Sequence, residues 1–304
     1  AVAAVTRLAQ AGQEILAGDN LYGGTTRLLS RVAPRQGLRM RFVDATDPAA
    51  IEAAISPNTR LLLVETPTNP LLRIVDLERV AGIARRRGVL FAVDNSLLSP
   101  CLQRPLAHGA DLVIHSATKA LCGHGDVCAG AVVTDDPDLH RELAFHLNAE
   151  GSGLAPFDSW LLLRGMKTLA LRIERQCASA QRIAEFLASR PAVREVFFPG
   201  LPGAPGREIH ERQATGPGPV VSFTTGDSDL SRRIAEAVRL FTIAVSFGSV
   251  GSSISLPCRM SHASIPAELK GRLAPPPDLV RLSIGIEDAD DLLEDLAQAI
   301  GTAG

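Results

Sequence analysis

Lys119 closes the stretch Asp111-Leu-Val-Ile-His-Ser116-Ala-Thr118-Lys119, in which four residues of strand character give way to two hydroxyls and an amine. Such a lysine has two readings. By base rate it is a solvated loop cation. Held in a low-dielectric cleft, it is a nucleophile and proton carrier, because desolvation favours the neutral amine. Ser116 and Thr118, with hydroxyls suited to a phosphate, add weight to the second reading. Asp94 ends the preceding apolar run, Val89–Val93. An amine and a carboxylate at neighbouring strand ends suit pyridoxal phosphate. The lysine links to it covalently and the aspartate keeps its ring nitrogen protonated, so that the ring takes up electrons from a substrate carbanion. Tyr22, followed by Gly23 and Gly24, is placed to stack on such a ring. The N-terminus of the first helix would join Ser116 and Thr118 around the phosphate. Arg281 offers a planar fork for a substrate carboxylate. Taken singly, each has an ordinary alternative: a turn aspartate, a surface tyrosine, a solvated strand arginine. Taken together on one edge they favour the joint reading.

Cys122-Gly-His124-Gly-Asp126-Val-Cys128 invites a metal reading, but its spacing is not the paired C-x-x-C of a structural zinc site, and no metal is expected. Its glycines let the backbone turn after Lys119. His115 and His262 read as packed histidines.

The elements that would position these residues alternate. A helix is expected over 1–11, with Val2, Val5 and Leu8 on one face, then a strand at Gln13–Ala17 and a loop through Thr26. A helix from Arg27 and a strand near Met40–Val43 follow. Asp47-Pro48 opens a helix to about Ile55 as cap and first-turn proline. Leu61–Val64 is apolar on both faces, as in a covered parallel sheet. Asp76 caps a helix that Gly88 closes. Strands at Val89–Val93, Leu112–His115 and Gly130–Thr134 complete the first half. Ligands of such sheets sit beyond the carboxyl ends of the strands, where Glu65, Asn69, Asp94, Ser116, Thr118 and Lys119 fall. After Trp160 the texture changes. A long helix over Leu161–Leu187, strands at Val193–Phe198, Val220–Thr224, Thr242–Ser246 and Val280–Ile286, and a final helix make a smaller α+β unit. The expected division is 1–165, a large cofactor-binding unit whose start lies outside this chain, and 166–304.

Hydrophobic residues are 46% and charged residues 21% of the 304, as in an ordinary soluble globular protein with room for two domains. With 31 basic and 33 acidic residues well mixed, nothing points to nucleic acid or an anionic membrane as partner. No apolar run approaches the ~18–20 residues a membrane span needs. Cys101, Cys122, Cys128, Cys177 and Cys258 are odd in number and scattered, and read as reduced thiols.

Tyr22-Gly-Gly-Thr, Glu65-Thr-Pro-Thr-Asn-Pro, Val93-Asp-Asn-Ser and Ser116-Ala-Thr-Lys together resemble the Cys/Met-metabolism family of pyridoxal phosphate enzymes. That family includes the cystathionine synthases and lyases and methionine γ-lyase, and the likeness covers essentially the whole chain. Asn148–Asp158, Val245–Val250, Leu256–Pro266 and Val280–Asp288 look most like its plant-type cystathionine β-lyase branch. The resemblance implies an aspartate-aminotransferase-like, fold-type I α/β enzyme with a mostly parallel sheet and a smaller C-terminal α+β domain. It implies a homotetramer, a dimer of dimers, that cleaves the amino acid L-cystathionine to homocysteine, pyruvate and ammonia. By the same likeness Lys119 carries the Schiff base, Asp94 binds the ring nitrogen, and Tyr22 stacks on the ring and shares the proton work. Ser116 and Thr118 hold the phosphate, Asn69 lies near the ring hydroxyl, and Arg281 with Ser246 addresses the substrate carboxylate and the lysine.

The chain also departs from the family pattern. Ala1-Val2 stands where the family usually has a glycine and a methionine whose amides hold the phosphate, so Ala1 and Val2 inherit that expectation. The preceding arm, which in relatives reaches a neighbouring subunit's phosphate, is expected to lie outside this chain. Gly251 stands where γ-lyases and γ-synthases often carry glutamate, which favours β- over γ-chemistry. The alternatives are γ-elimination or γ-replacement, and a cofactor-free oligomerisation chain. The implied compartment is a plastid for a plant or algal source, and otherwise the cytoplasm.

Overall fold

The structure, a computed structural model, describes residues 1–260 and 274–303. Two sheets organise it. The first contains β1 (Glu14–Gly18), β2 (Arg39–Val43), β3 (Thr59–Glu65), β4 (Leu90–Asp94), β5 (Leu112–Ser116) and β6 (Gly130–Val133), in the order β2-β1-β3-β4-β5-β6. The first five run parallel, and β6 closes the edge antiparallel to β5. Leu62, Val64, Phe91 and Val93 pack under the helix Leu77–Arg87, while Leu61, Leu63, Ala92 and Ile114 pack against Val5, Leu8 and Leu29 on the other face. Burial on both faces is why these strands are apolar throughout and not alternating. The chain passes from β1 outward to β2 and returns to the far side as β3, so the strand order switches between β1 and β3, which is where open sheets of this kind take their ligands.

The second sheet has the order β7-β8-β11-β10-β9, from β7 (Glu195–Phe197), β8 (Val220–Thr224), β9 (Thr242–Ile243), β10 (Ser253–Ser255) and β11 (Val280–Ser283). All of its pairs are antiparallel except β9 with β10. Val280 and Leu282 join its core, and Arg281 and Ser283 point to the opposite face, as the alternation predicts. The helix Leu169–Ala188 serves both halves. Leu169 and Ile173 pack beneath Ala117, Ala120 and Leu121 of the Lys119 turn, and Ile183, Ala184 and Leu187 enter the core of the second sheet.

Several expected elements come out differently. The first helix is only Val2–Thr6, because the chain turns before Gly12. The helix expected from Arg27 begins at Gly23 and runs on through a π turn and a 3₁₀ turn to Gln36. The long helix is two, Pro156–Met166 and Leu169–Ala188, broken where Gly165 presses on the Cys122 carbonyl. The Gly/Pro-rich loop before Pro219 holds a helix at Arg207–Gln213. A helix at Pro137–Ala149 and the strand β10 were not anticipated. His262, and the motif Leu256–Pro266 from Ser261 onward, lie outside the described residues.

Candidate active site

Lys119 sits in a tight turn just past β5. Its N–H donates to Ser116 O at 3.0 Å, and its own carbonyl accepts from Gly123 N at 2.8 Å. The side chain crosses to the second sheet, where Nζ donates to Ser246 Oγ at 2.8 Å and lies 5.0 Å from the centre of the Phe247 ring. Burial draws the amine down from its usual range to about 8, helped by the positive charge of Arg281. Gly248 makes this approach possible: it has φ +78°, and a Cβ there would fall 2.8 Å from the Ala120 nitrogen.

Arg281 enters from β11 and is only 1% exposed, which rules out the solvated strand arginine. Nη1 donates to Asn69 Oδ1 at 2.8 Å, and Nη2 to the carbonyls of Val245 and Ser246 at 3.1 and 3.0 Å. Burial lowers it to about 10, with the neighbouring Glu65 carboxyl acting the other way. Phe247 lies under both cations, 5.6 Å from the Arg281 guanidinium carbon. Tyr22 follows β1 with its ring folded over Gly24, where a Cβ would meet ring atom Cε1 at 2.4 Å.

Asp94 ends β4. Its Oδ1 accepts from the Ser96 hydroxyl at 2.5 Å and from the Ser96 N–H at 3.0 Å, and the same hydroxyl accepts from Ser116 N at 2.6 Å. Burial raises the Asp94 carboxyl above its usual range, with the Ser96 bonds pulling the other way. Thr118 Oγ1 donates to Ala129 O at 3.2 Å and accepts from Ala129 N at 2.9 Å, so a phosphate would have to draw that proton away. Ala1 meets the same edge, since a Cβ on Gly130 would lie 2.8 Å from the Ala1 Cβ, and the short helix begins next to it at Val2. His115 is buried on β5, and burial holds it near 4, neutral at ordinary pH.

The Cys122–Cys128 loop is bonded internally: Cys122 Sγ donates to Asp126 Oδ1 at 2.9 Å, and His124 Nδ1 lies 2.8 Å from Cys122 O. Among the described residues no three of His, Cys, Asp and Glu gather as a metal site.

The edge thus joins Lys119, Ser246, Arg281 and Asn69 in one chain of contacts, and Asp94, Ser96 and Ser116 in another. These residues fit pyridoxal phosphate. Asp94 is a half-buried carboxylate whose anion its surroundings disfavour, so a cationic ring nitrogen would suit it. Asn69 Nδ2 and Arg281 Nε are buried without a hydrogen-bond partner among the described residues, and are donors suited to a ring hydroxyl and a carboxylate. Three further residues touch this site: Ser96, Glu65 and Phe247. Ser96, two positions after Asp94, carried a local turn signal. Glu65 was noted at the edge without a role. Phe247 lay within the family-like stretch Val245–Val250 without a role.

A family model described as "Cys/Met metabolism PLP-dependent enzyme" matches residues 1–301. The chain is 52% identical over 302 residues to the chloroplastic cystathionine beta-lyase of Arabidopsis thaliana, covering 99% of this chain and 65% of that one. To cystathionine gamma-lyase of Bacillus subtilis it is 47% identical, covering 99% of this chain and 79% of the relative. Among solved structures, cystathionine gamma-lyase from Lactobacillus plantarum complexed with L-serine superposes with a TM-score of 0.97 at 41% identity, covering 99% of this chain and 79% of that one. The chain therefore spans slightly less than two thirds of the length of the Arabidopsis protein.

Proposed function

Because this chain belongs to the Cys/Met-metabolism family, whose cofactor is pyridoxal phosphate, we propose that it cleaves L-cystathionine to homocysteine, pyruvate and ammonia. The observation that carries the proposal is the half-buried Lys119 amine, drawn down to about 8, in reach of Ser246 and next to a buried Arg281. When bound, the cofactor supplies an electron sink for the charge left on the substrate α-carbon. Asp94 would hold its ring nitrogen, Tyr22 its ring face and Asn69 its ring hydroxyl. Ser116, Thr118 and the amides of Ala1 and Val2 would hold its phosphate. Arg281 and Ser246 would take the substrate carboxylate. Lys119, neutral more often than an ordinary lysine, would take the α-proton and return a proton to the departing sulfur, a task Tyr22 would share. The bond from Cβ to sulfur breaks, homocysteine leaves, and the three-carbon remainder takes up water to give pyruvate and ammonia.

Keto-acid analysis after incubation with cystathionine tests this. Pyruvate supports β-elimination, whereas 2-oxobutyrate or newly made cystathionine would put γ-chemistry in its place. The γ reading is kept because similar proteins carry the γ-lyase name, and Gly251 argues against it. A chain that stays colourless with added cofactor would instead be a cofactor-free oligomerisation module. Division at 165/166 and assembly as a homotetramer belong to the same proposal. Assembly is supported by apolar side chains left exposed on the helices around 145–171. The plastid reading holds for a plant or algal source, as for the Arabidopsis protein, and the cytoplasm otherwise.

A further inference from the structure

Glu65 has no part in the chemistry above, yet it ties together residues that do. It ends β3 and is 6% exposed. Its Oε2 accepts the Tyr22 N–H at 3.0 Å and its Oε1 the Asn69 N–H at 2.7 Å. Tyr22 follows β1 and Asn69 follows β3, so one carboxylate bridges the two strands that flank the switch in strand order. The parallel register of β3 and β4 sets Glu65 beside Asp94. Arg281, bonded to Asn69 Oδ1, is near enough that it and the Glu65 carboxyl favour each other's charged forms.

We propose that Glu65 is a positioning residue: a strap that fixes Tyr22 and Asn69 relative to each other, and so couples the ring-stacking side of the site to its carboxylate-binding side. The coupling rests on the roles proposed above for Tyr22, Asn69 and Arg281; the strap does not. Tyr22 precedes the short helix Gly23–Arg27 as its N-cap residue and makes no side-chain cap bond. Its N–H lies outside the intrahelical ladder and needs another partner. Burial and the neighbouring Asp94 push the Glu65 carboxyl well above its usual range, while the two backbone N–H groups and Arg281 favour its charged form. Both oxygens accept, which is the arrangement an anion satisfies, and such charge-assisted bonds are roughly twice as strong as neutral ones. The Tyr22 backbone is thus held from below by Glu65, while its ring is limited by Gly24, where added bulk would strike it. Glutamine at 65 would keep the shape but set an NH₂ donor against one of the two backbone donors. One strap bond would then be lost.

Tyr22 is the only tyrosine in the chain, so labelling with ¹⁵N-tyrosine gives a single backbone amide signal that reads this bond. In the chain loaded with pyridoxal phosphate, the wild-type Tyr22 amide should exchange slowly with solvent. In Glu65→Gln its signal should move and its exchange should quicken about tenfold, as for loss of one charge-assisted bond. The visible band of the bound cofactor should shift, and KM for cystathionine should rise more than kcat falls. An amide unchanged in Glu65→Gln overturns the strap. An amide that changes while the cofactor band and KM stay at wild-type values overturns the coupling. If Glu65→Gln does not fold, the wild-type signal decides, because a Tyr22 amide exchanging as fast as an unstructured one overturns the strap by itself. If the wild type takes up no cofactor, the lyase reading and the coupling fail, and the same amide comparison in the cofactor-free chain still decides the strap.

Discussion

A lysine that titrates near 8 in place of 10.5 is a different reagent at neutral pH. The sign is fixed by the direction of the shift. Below 8 Lys119 is protonated and unreactive, and above 8 the neutral amine dominates. Capture of pyridoxal phosphate by the cofactor-free chain should therefore rise with pH to a midpoint near 8, and a stopped-flow absorbance series locates that midpoint. A rise only towards 10.5 would mean that the amine is solvated. Lys119→Ala should remain folded and leave no cofactor that borohydride can fix to the chain, checked by mass spectrometry of the intact protein. Arg281→Lys keeps a charge but loses the fork. KM should rise about 10- to 100-fold, the range of one or two charge-assisted bonds, with kcat much less affected in steady-state kinetics. The candidate site residues were legible in the sequence because strand ends announce themselves: Lys119, Asp94 and Asn69 each follow an apolar run. Phe247 was not, since its place under two cations depends on how the second sheet closes over the first.

At the scale of elements, local chemistry carried most of the first half. Asp47 and Asp76 accept from backbone N–H groups as caps, and Gly88 ends its helix at φ 65°. The break at Lys167–Thr168 was illegible because the apolar pattern runs through it; in the structure Arg172 reaches back across it to donate to Gly165 O and to Ala120 O, both at 2.8 Å. The helix Pro137–Ala149 was legible in principle from Asp136-Pro137, the same cap signal as Asp47-Pro48, but with no buried residue it offers no strong periodicity. Gly248 gives the test at this scale. Gly248→Ala would push a Cβ into the turn carrying Lys119 at a backbone angle that L residues avoid, and should cost roughly 1–3 kcal/mol in denaturant unfolding. Loss of cofactor binding should accompany it.

Across the whole molecule, exposed apolar bulk is unevenly spread. Phe145, Phe157, Trp160, Leu163 and Leu171 are all more than half exposed. Phe157 and Trp160 lie ring against ring, 5.8 Å apart, and apolar bulk concentrated on neighbouring helices is costly to leave in water. Phe157→Asp combined with Leu163→Asp should lower the mass seen in sedimentation equilibrium while the far-ultraviolet circular dichroism stays native; an unchanged mass would remove this surface from assembly. The two-sheet architecture was legible as a change of texture after Trp160, though the helix that spans both sheets was not. That the amine of residue 119 and the hydroxyl of residue 246 come from opposite sheets has a practical consequence. A nick in the exposed turn around Gly203 would leave two fragments, one with Lys119 and the other with Ser246. If the lyase reading holds, each fragment should be inert alone and mixing them should restore pyruvate formation; fragments that stay inactive when mixed, though still folded, would show that the two sheets do not rejoin.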